Sequence, residues 1–169
     1  KEVFDLAREE GLLTVAHAGE EGPPEYIWEA LGSLKASRID HGIQCQKDEK
    51  LMEHLVKTQT PLTLCPISNV KLRIFDKLSD HNVKYLLERG LRVSINSDDP
   101  AYFGGYIEEN YRATKDALGL SFAEIVQIAR NSFTSSFLSD QEKRYLLDEI
   151  ERVKEKYSKD RGQTPENNM

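Results

Sequence analysis

The sequence is short of the features that mark secreted, membrane-spanning or nucleic-acid-binding chains. It holds only two cysteines, Cys45 and Cys65. Two cysteines provide no disulfide framework and point to a reducing, cytoplasmic setting, with the nucleus also open for a eukaryotic source. No apolar run approaches the length that crosses a bilayer, and no signal peptide opens the chain, so no membrane partner is expected. The net charge is -6 and no basic cluster is dense enough to offset it, which argues against a nucleic-acid surface. There is no internal repeat and no interdomain linker. What remains is 169 residues of ordinary globular composition, enough for one domain with a real core.

The chain opens on Lys1 rather than methionine, with Val3, Phe4 and Ala7 at helical spacing and Gly11 as a stop. A piece of a longer protein is therefore expected. Strands are predicted at 13–18, 38–41, 61–65 and 91–96. Helices at 25–36, 48–57 and 83–89 fall between them, each with apolar residues on one face. Alternation of this kind means parallel strands joined by crossover helices. After Pro100 only helices are predicted. One carries Ile107, Tyr111, Thr114 and Leu118 on a face. Two more are announced by capping-box spacings, Ser121 with Glu124 and Ser139 with Glu142. The domain is expected to span 1–158, followed by a polar, disordered tail over 159–169.

The polar and titratable residues gather at the C-terminal ends of the four strands. They are His17-Ala18-Gly19-Glu20, Asp40-His41-Gly42, Cys65-Pro66-Ile67-Ser68-Asn69 and Asp98-Asp99-Pro100. In parallel α/β folds that end is where sites form. His17 and Asp98 are nitrogen and oxygen donors suited to zinc, or else a buried hydrogen-bonded histidine and a turn aspartate. Glu20 suits a general acid or base, or a helix-start carboxylate. His41 suits a group that orients and deprotonates an attacking water. Asp99 suits a substrate acceptor or a helix cap. Gly19 and Gly42 are expected to let the backbone approach a flat ligand. Cys65 reads as a small buried hydrophobe, and His54, His81 and Cys45 carry no assigned role.

Taken together, His17-Ala18-Gly19-Glu20, His41-Gly42, Cys65-Pro66 with Ser68-Asn69, and Ser97-Asp98-Asp99-Pro100 resemble the adenosine/adenine deaminase family of metal-dependent (β/α)8 barrels. The stretches Arg38-Ile39-Asp40-His41-Gly42 and Ser97 through Tyr106 look most like its adenine-acting members. Family members acting on adenosine usually carry glycine where this chain has Asp40, so a charged side chain there is expected to narrow the space for a ribose. The resemblance implies zinc-dependent hydrolysis of adenine to hypoxanthine and ammonia in purine salvage. It implies His17 and Asp98 as metal ligands and Glu20 as proton donor to the purine ring. It further implies His41 as the residue that positions and deprotonates the water, and Asp99 as a purine contact. The family's His-x-His pair is missing from this chain, and only four of eight strands are predicted. The expected fold is thus the C-terminal half of a (β/α)8 barrel, followed by helices. The missing N-terminal half is the expected partner that supplies the His-x-His pair. Alone, the chain is expected to be inactive, to bind zinc weakly, and to expose two strand edges. The alternatives are an adenosine or related purine deaminase, or a non-catalytic half-barrel that folds only with a complementing chain.

Overall fold

The structure, a computed structural model, describes residues 1–162. Its centre is a four-stranded parallel sheet of β1 (Val15–Ala18), β2 (Arg38–His41), β3 (Leu62–Leu64) and β4 (Val93–Ile95), in the order β1-β2-β3-β4. Sequential parallel order without reversal is the winding of a barrel rather than of a doubly wound sheet. The crossovers carry α2 (Pro24–Gly32), α3 (Glu49–Thr58), and α4 (Pro66–Lys71) with α5 (Val83–Glu88). Ahead of the sheet lies α1 (Glu2–Glu9), and after it come α6 (Pro100–Phe103), α7 (Ile107–Leu118), α8 (Phe122–Thr134) and α9 (Asp140–Gly162). This is the α/β architecture expected, a barrel's four-stranded arc followed by helices.

Strand alternation divides the sheet into two faces. Ile39, Leu62, Leu64, Val93 and Ile95 are fully buried against Ile27, Leu51, Leu55, Leu86 and Ile128 of the helices. Arg38, Asp40, Thr63 and Asn96 point the other way and line a cavity. The register places His17 opposite Asp40, and Asp40 opposite Thr63, so three polar side chains share one layer of that inner face.

The helix starts follow local chemistry. Asp48 caps α3 by accepting from Lys50 N and Leu51 N at 3.0 and 3.2 Å, and Trp28 Nε1 donates to its other oxygen at 2.8 Å. At α8 both halves of the capping box form: Glu124 N donates to Ser121 Oγ at 3.2 Å, and Ser121 N donates to Glu124 Oε2 at 2.7 Å. The same pair of bonds joins Ser139 and Glu142 ahead of α9.

Some expected boundaries shift. Helix α2 stops at Gly32, not Ala36, and the chain turns through a left-handed Lys35 at φ 52° to reach β2. The stretch after Cys65 winds into α4, with Pro66 in its first turn where no amide hydrogen is needed. Helix α9 continues to Gly162, past the expected tail boundary at 159. The rest of that tail, 163–169, lies outside the described residues. None of the described helices is long and apolar enough to cross a membrane.

Candidate active site

The four strand ends converge on one cavity of about 500 Å³, walled by His17, Asp40, His41, Cys65 and Asp98 among others. His41 has the same strand parity as Ile39 and would face the helices if β2 continued regularly. Its backbone instead adopts φ 66°, which turns the ring into the cavity. Asp98 is likewise left-handed, at φ 57°. Such a conformation in a residue other than glycine costs on the order of 1–3 kcal/mol and persists where the surroundings enforce it.

Gly19 and Gly42, both left-handed, border these turns at φ 65° and 71°. A β-carbon on Gly19 would meet Ile27 Cδ1 at 2.3 Å, and one on Gly42 would meet Leu62 Cδ2 at 2.8 Å. Their smallness therefore serves the packing of the strand ends onto the core. This packing reason stands beside the ligand approach expected of them from the sequence.

Glu20 and His41 form the centre of the site. Glu20 Oε1 stands 3.2 Å from His41 Nδ1, which is buried and lies outside hydrogen-bonding geometry. Burial, with Asp98 nearby, raises the Glu20 carboxyl above its ordinary range. Burial, with His17 nearby, lowers the His41 imidazole below its own. Both directions oppose an ion pair. The environments push the Glu20 carboxyl toward its protonated form and the His41 imidazole toward its neutral form, the directions that separate an acid from a base.

Hydrogen bonds hold the carboxylates of the site. Ser68 Oγ donates to Asp98 Oδ2 at 2.7 Å. Asn69 Nδ2 donates to Glu20 Oε1 at 2.9 Å. Asp40 Oδ1 accepts from Thr63 Oγ1 at 2.8 Å and from Arg38 Nε at 3.1 Å, while its Oδ2 lies 3.6 Å from His17 Nδ1. One turn of α4 thus steadies two site carboxylates through consecutive residues.

The sequence-derived residues are brought together unequally. His17, His41, Glu20 and Asp98 share the site. The His17 side chain is 69% exposed, however, whereas that of His41 is 2% exposed. Asp99 does not wall the cavity. It is exposed and caps α6, accepting from Tyr102 N through Oδ1 at 3.3 Å. Cys65 is buried, and desolvation helped by Asp98 pushes its thiol up to about 12, so it stays protonated.

Sequence reasoning left His81 without a role. It is buried and bonded to Asn69, and its position twelve residues beyond that asparagine gave no local signal. Ser68 and Asn69 fall within the Cys65-to-Asn69 motif, where the sequence alone assigns them no function.

A divalent metal fits this donor set. Among the described residues, donor atoms of His41 and Asp98 lie within 4.8 Å of each other, with the protonated Cys65 thiol beside them as a neighbour rather than a ligand, and the His17 ring centroid is 4.9 Å from that of His41. Nitrogen and carboxylate donors beside a buried imidazole nitrogen without a hydrogen-bond partner suit zinc.

A sequence model of the adenosine deaminase family matches residues 1–153, and the chain belongs to that family. Over 145 residues it is 59% identical to an adenine deaminase of Hahella chejuensis, covering 86% of this chain and 43% of that one. The crystal structure of an adenine deaminase from Arthrobacter aurescens is similar with a TM-score of 0.88 and 51% identity, over 90% of this chain and 47% of that one. A zinc-bound amidohydrolase from Burkholderia ambifaria shares the fold at a TM-score of 0.83 and 22% identity, over 93% of this chain and 45% of that one. The chain therefore spans less than half the length of the relatives it matches.

Proposed function

We propose that this chain forms part of a zinc-dependent adenine deaminase, which hydrolyses adenine to hypoxanthine and ammonia for purine salvage in a reducing cytoplasm. The observation that carries the reading is the Glu20 carboxyl standing 3.2 Å from the His41 imidazole at the mouth of a parallel sheet, with burial favouring the protonated carboxyl and the neutral ring. His17 and Asp98 would hold the metal, completed by a His-x-His pair that this sequence does not contain. Bound zinc would polarise a water and bring its pKa towards neutrality.

The remaining work falls to the chain's own side chains. Glu20 retains a proton and delivers it to a purine ring nitrogen, making the carbon that bears the amino group more electrophilic. Neutral His41 orients the attacking water and accepts its proton. Asp99 is assigned the purine contact on the family resemblance alone: it stands outside the cavity wall and caps α6 through Oδ1, which leaves Oδ2 as the oxygen for that contact. Asp40, held by Arg38 and Thr63, sets a charge in the cavity where a ribose would extend, which favours the free base.

Turnover of adenine and of adenosine, with zinc content on the same sample of full-length protein, tests the reading. Near-stoichiometric zinc with adenine preferred is the expected result. A preference for adenosine would overturn the substrate assignment. Zinc-free protein with no turnover of either would favour a non-catalytic half-barrel.

A further inference from the structure

The wall behind Glu20 holds a buried polar chain that the reaction scheme above does not use. His81 lies between a short 3-10 turn, Leu78–Asp80, and α5, and it is buried. Val83 N donates to His81 Nδ1 at 3.3 Å. That bond leaves the ring proton on Nε2, which donates to Asn69 Oδ1 at 3.1 Å. Asn69 Oδ1 is thereby fixed as the acceptor side of its amide, and Nδ2 is the side that meets Glu20 Oε1 at 2.9 Å. An unconstrained asparagine amide could present either atom, and its oxygen turned toward Glu20 would accept the carboxyl proton that is meant for substrate. The ring itself is immobilised. Phe75 packs on it at 4.4 Å between centroids, and neighbouring Asn82 Nδ2 donates to Ile43 O at 2.8 Å, tying this segment to the strand end that carries His41.

We propose that His81 is a positioning residue, locking the Asn69 amide so that Glu20 Oε1 is occupied and Oε2 is the oxygen that carries the proton to substrate. The proposal rests on the reading of Glu20 as proton donor. His81 does not touch the substrate. It acts through Asn69, so its removal should lower the chemical step and leave substrate binding nearly intact.

The test uses the full-length protein with adenine as substrate. His81→Phe keeps a ring against Phe75 but cannot donate, whereas His81→Gln restores an N–H donor. His81→Phe is expected to lower kcat about tenfold with KM within about twofold, and His81→Gln to recover most of the loss. Placed on an Asn69→Leu background, His81→Phe should change kcat less than about twofold, because the pathway is already cut. Full kcat in His81→Phe, no recovery in His81→Gln, or additive losses with Asn69→Leu would each overturn the proposal. If His81→Phe does not fold, Asn69→Ser must show the same kcat-only loss, and full kcat there overturns it as well. Glu20→Gln separates the two claims. Wild-type kcat in Glu20→Gln overturns the proton-donor reading and this proposal with it. A crippled Glu20→Gln beside an intact His81→Phe overturns this proposal alone.

Discussion

Helices α8 and α9 meet along an apolar groove lined by Phe122, Ile125, Phe133, Leu146 and Ile150, with the Arg130–Glu151 ion pair at its margin and the Phe122 and Tyr157 rings stacked at 4.4 Å. The wall made by α4 and the segment before α5 is joined to the strand ends differently. Its contacts are polar bonds, partly buried from Ser68 to Asp98 and from Asn69 to Glu20, and buried between His81 and Asn69. The first arrangement tolerates change, because apolar contact is non-directional and surface ion pairs contribute little. The second does not, because a buried donor or acceptor that loses its partner keeps its full desolvation cost. Rigid, directional bonding is concentrated where a carboxylate must keep one orientation. The α8–α9 seam is held mainly by bulk, although α8 also reaches β4 through one buried bond, Asn131 Nδ2 to Val93 O at 2.9 Å.

The comparison can be broken at several points. The largest stability effect is expected where the strand ends meet the core. Gly19→Ala places a methyl 2.3 Å from buried Ile27 Cδ1 at a left-handed φ of 65°. Strain and overpacking together should cost about 3 kcal/mol, read as a lower denaturant midpoint. An unchanged midpoint would mean that the turn has room the structure does not show.

A smaller effect is expected from acid at the polar wall. Burial lowers the His81 pKa from 6.5 to about 3. The unfolded chain takes up a proton below pH 6.5 that the folded chain refuses until about pH 3. This group's stabilisation is therefore complete above pH 6.5 and lost as pH falls through that window, at up to about 1.4 kcal/mol per pH unit. Between pH 6.5 and 5, wild type should lose about 2 kcal/mol more than His81→Gln. Parallel pH slopes for the two proteins would contradict the neutral, buried state of His81.

The helical layer should respond less. Ser121→Ala removes one half of the α8 capping box and should cost about 1 kcal/mol by denaturant titration. Arg130→Ala removes the marginal ion pair and should cost no more than about 0.5 kcal/mol, falling further in high salt. If Arg130→Ala proved as damaging as Gly19→Ala, the division between the two regions would not hold.

This division also explains what was legible in the sequence. Both capping boxes are three-residue spacings, and the α8 and α9 starts were visible because the bonds join neighbours along the chain. The parallel arc was visible because strand and helix periodicities alternate, and β2 at Arg38–His41 falls where expected. The Glu20, His41 and Asp98 cluster was visible as residue types at strand ends. What stayed hidden was contact across distance. Asn69 reaches Glu20 across 49 positions, and His81 reaches Asn69 across 12, with no periodicity to announce either. The reorientation of His41 was hidden too, since a left-handed backbone at a histidine breaks the strand pattern instead of following it. The helix cap made by Asp99 was one of its two readings, and the sequence alone did not choose between them.

The most direct test of the account is kcat for adenine in Glu20→Gln, made in the full-length protein and compared with wild type at pH 7. Glutamine keeps the shape and the bond from Asn69 but has no acidic proton to give. The account predicts a loss of about 10²- to 10⁴-fold in kcat with KM changed little. Turnover within a few fold of wild type would contradict it, because the proton would then have to come from a group other than the one that this buried wall is built to hold.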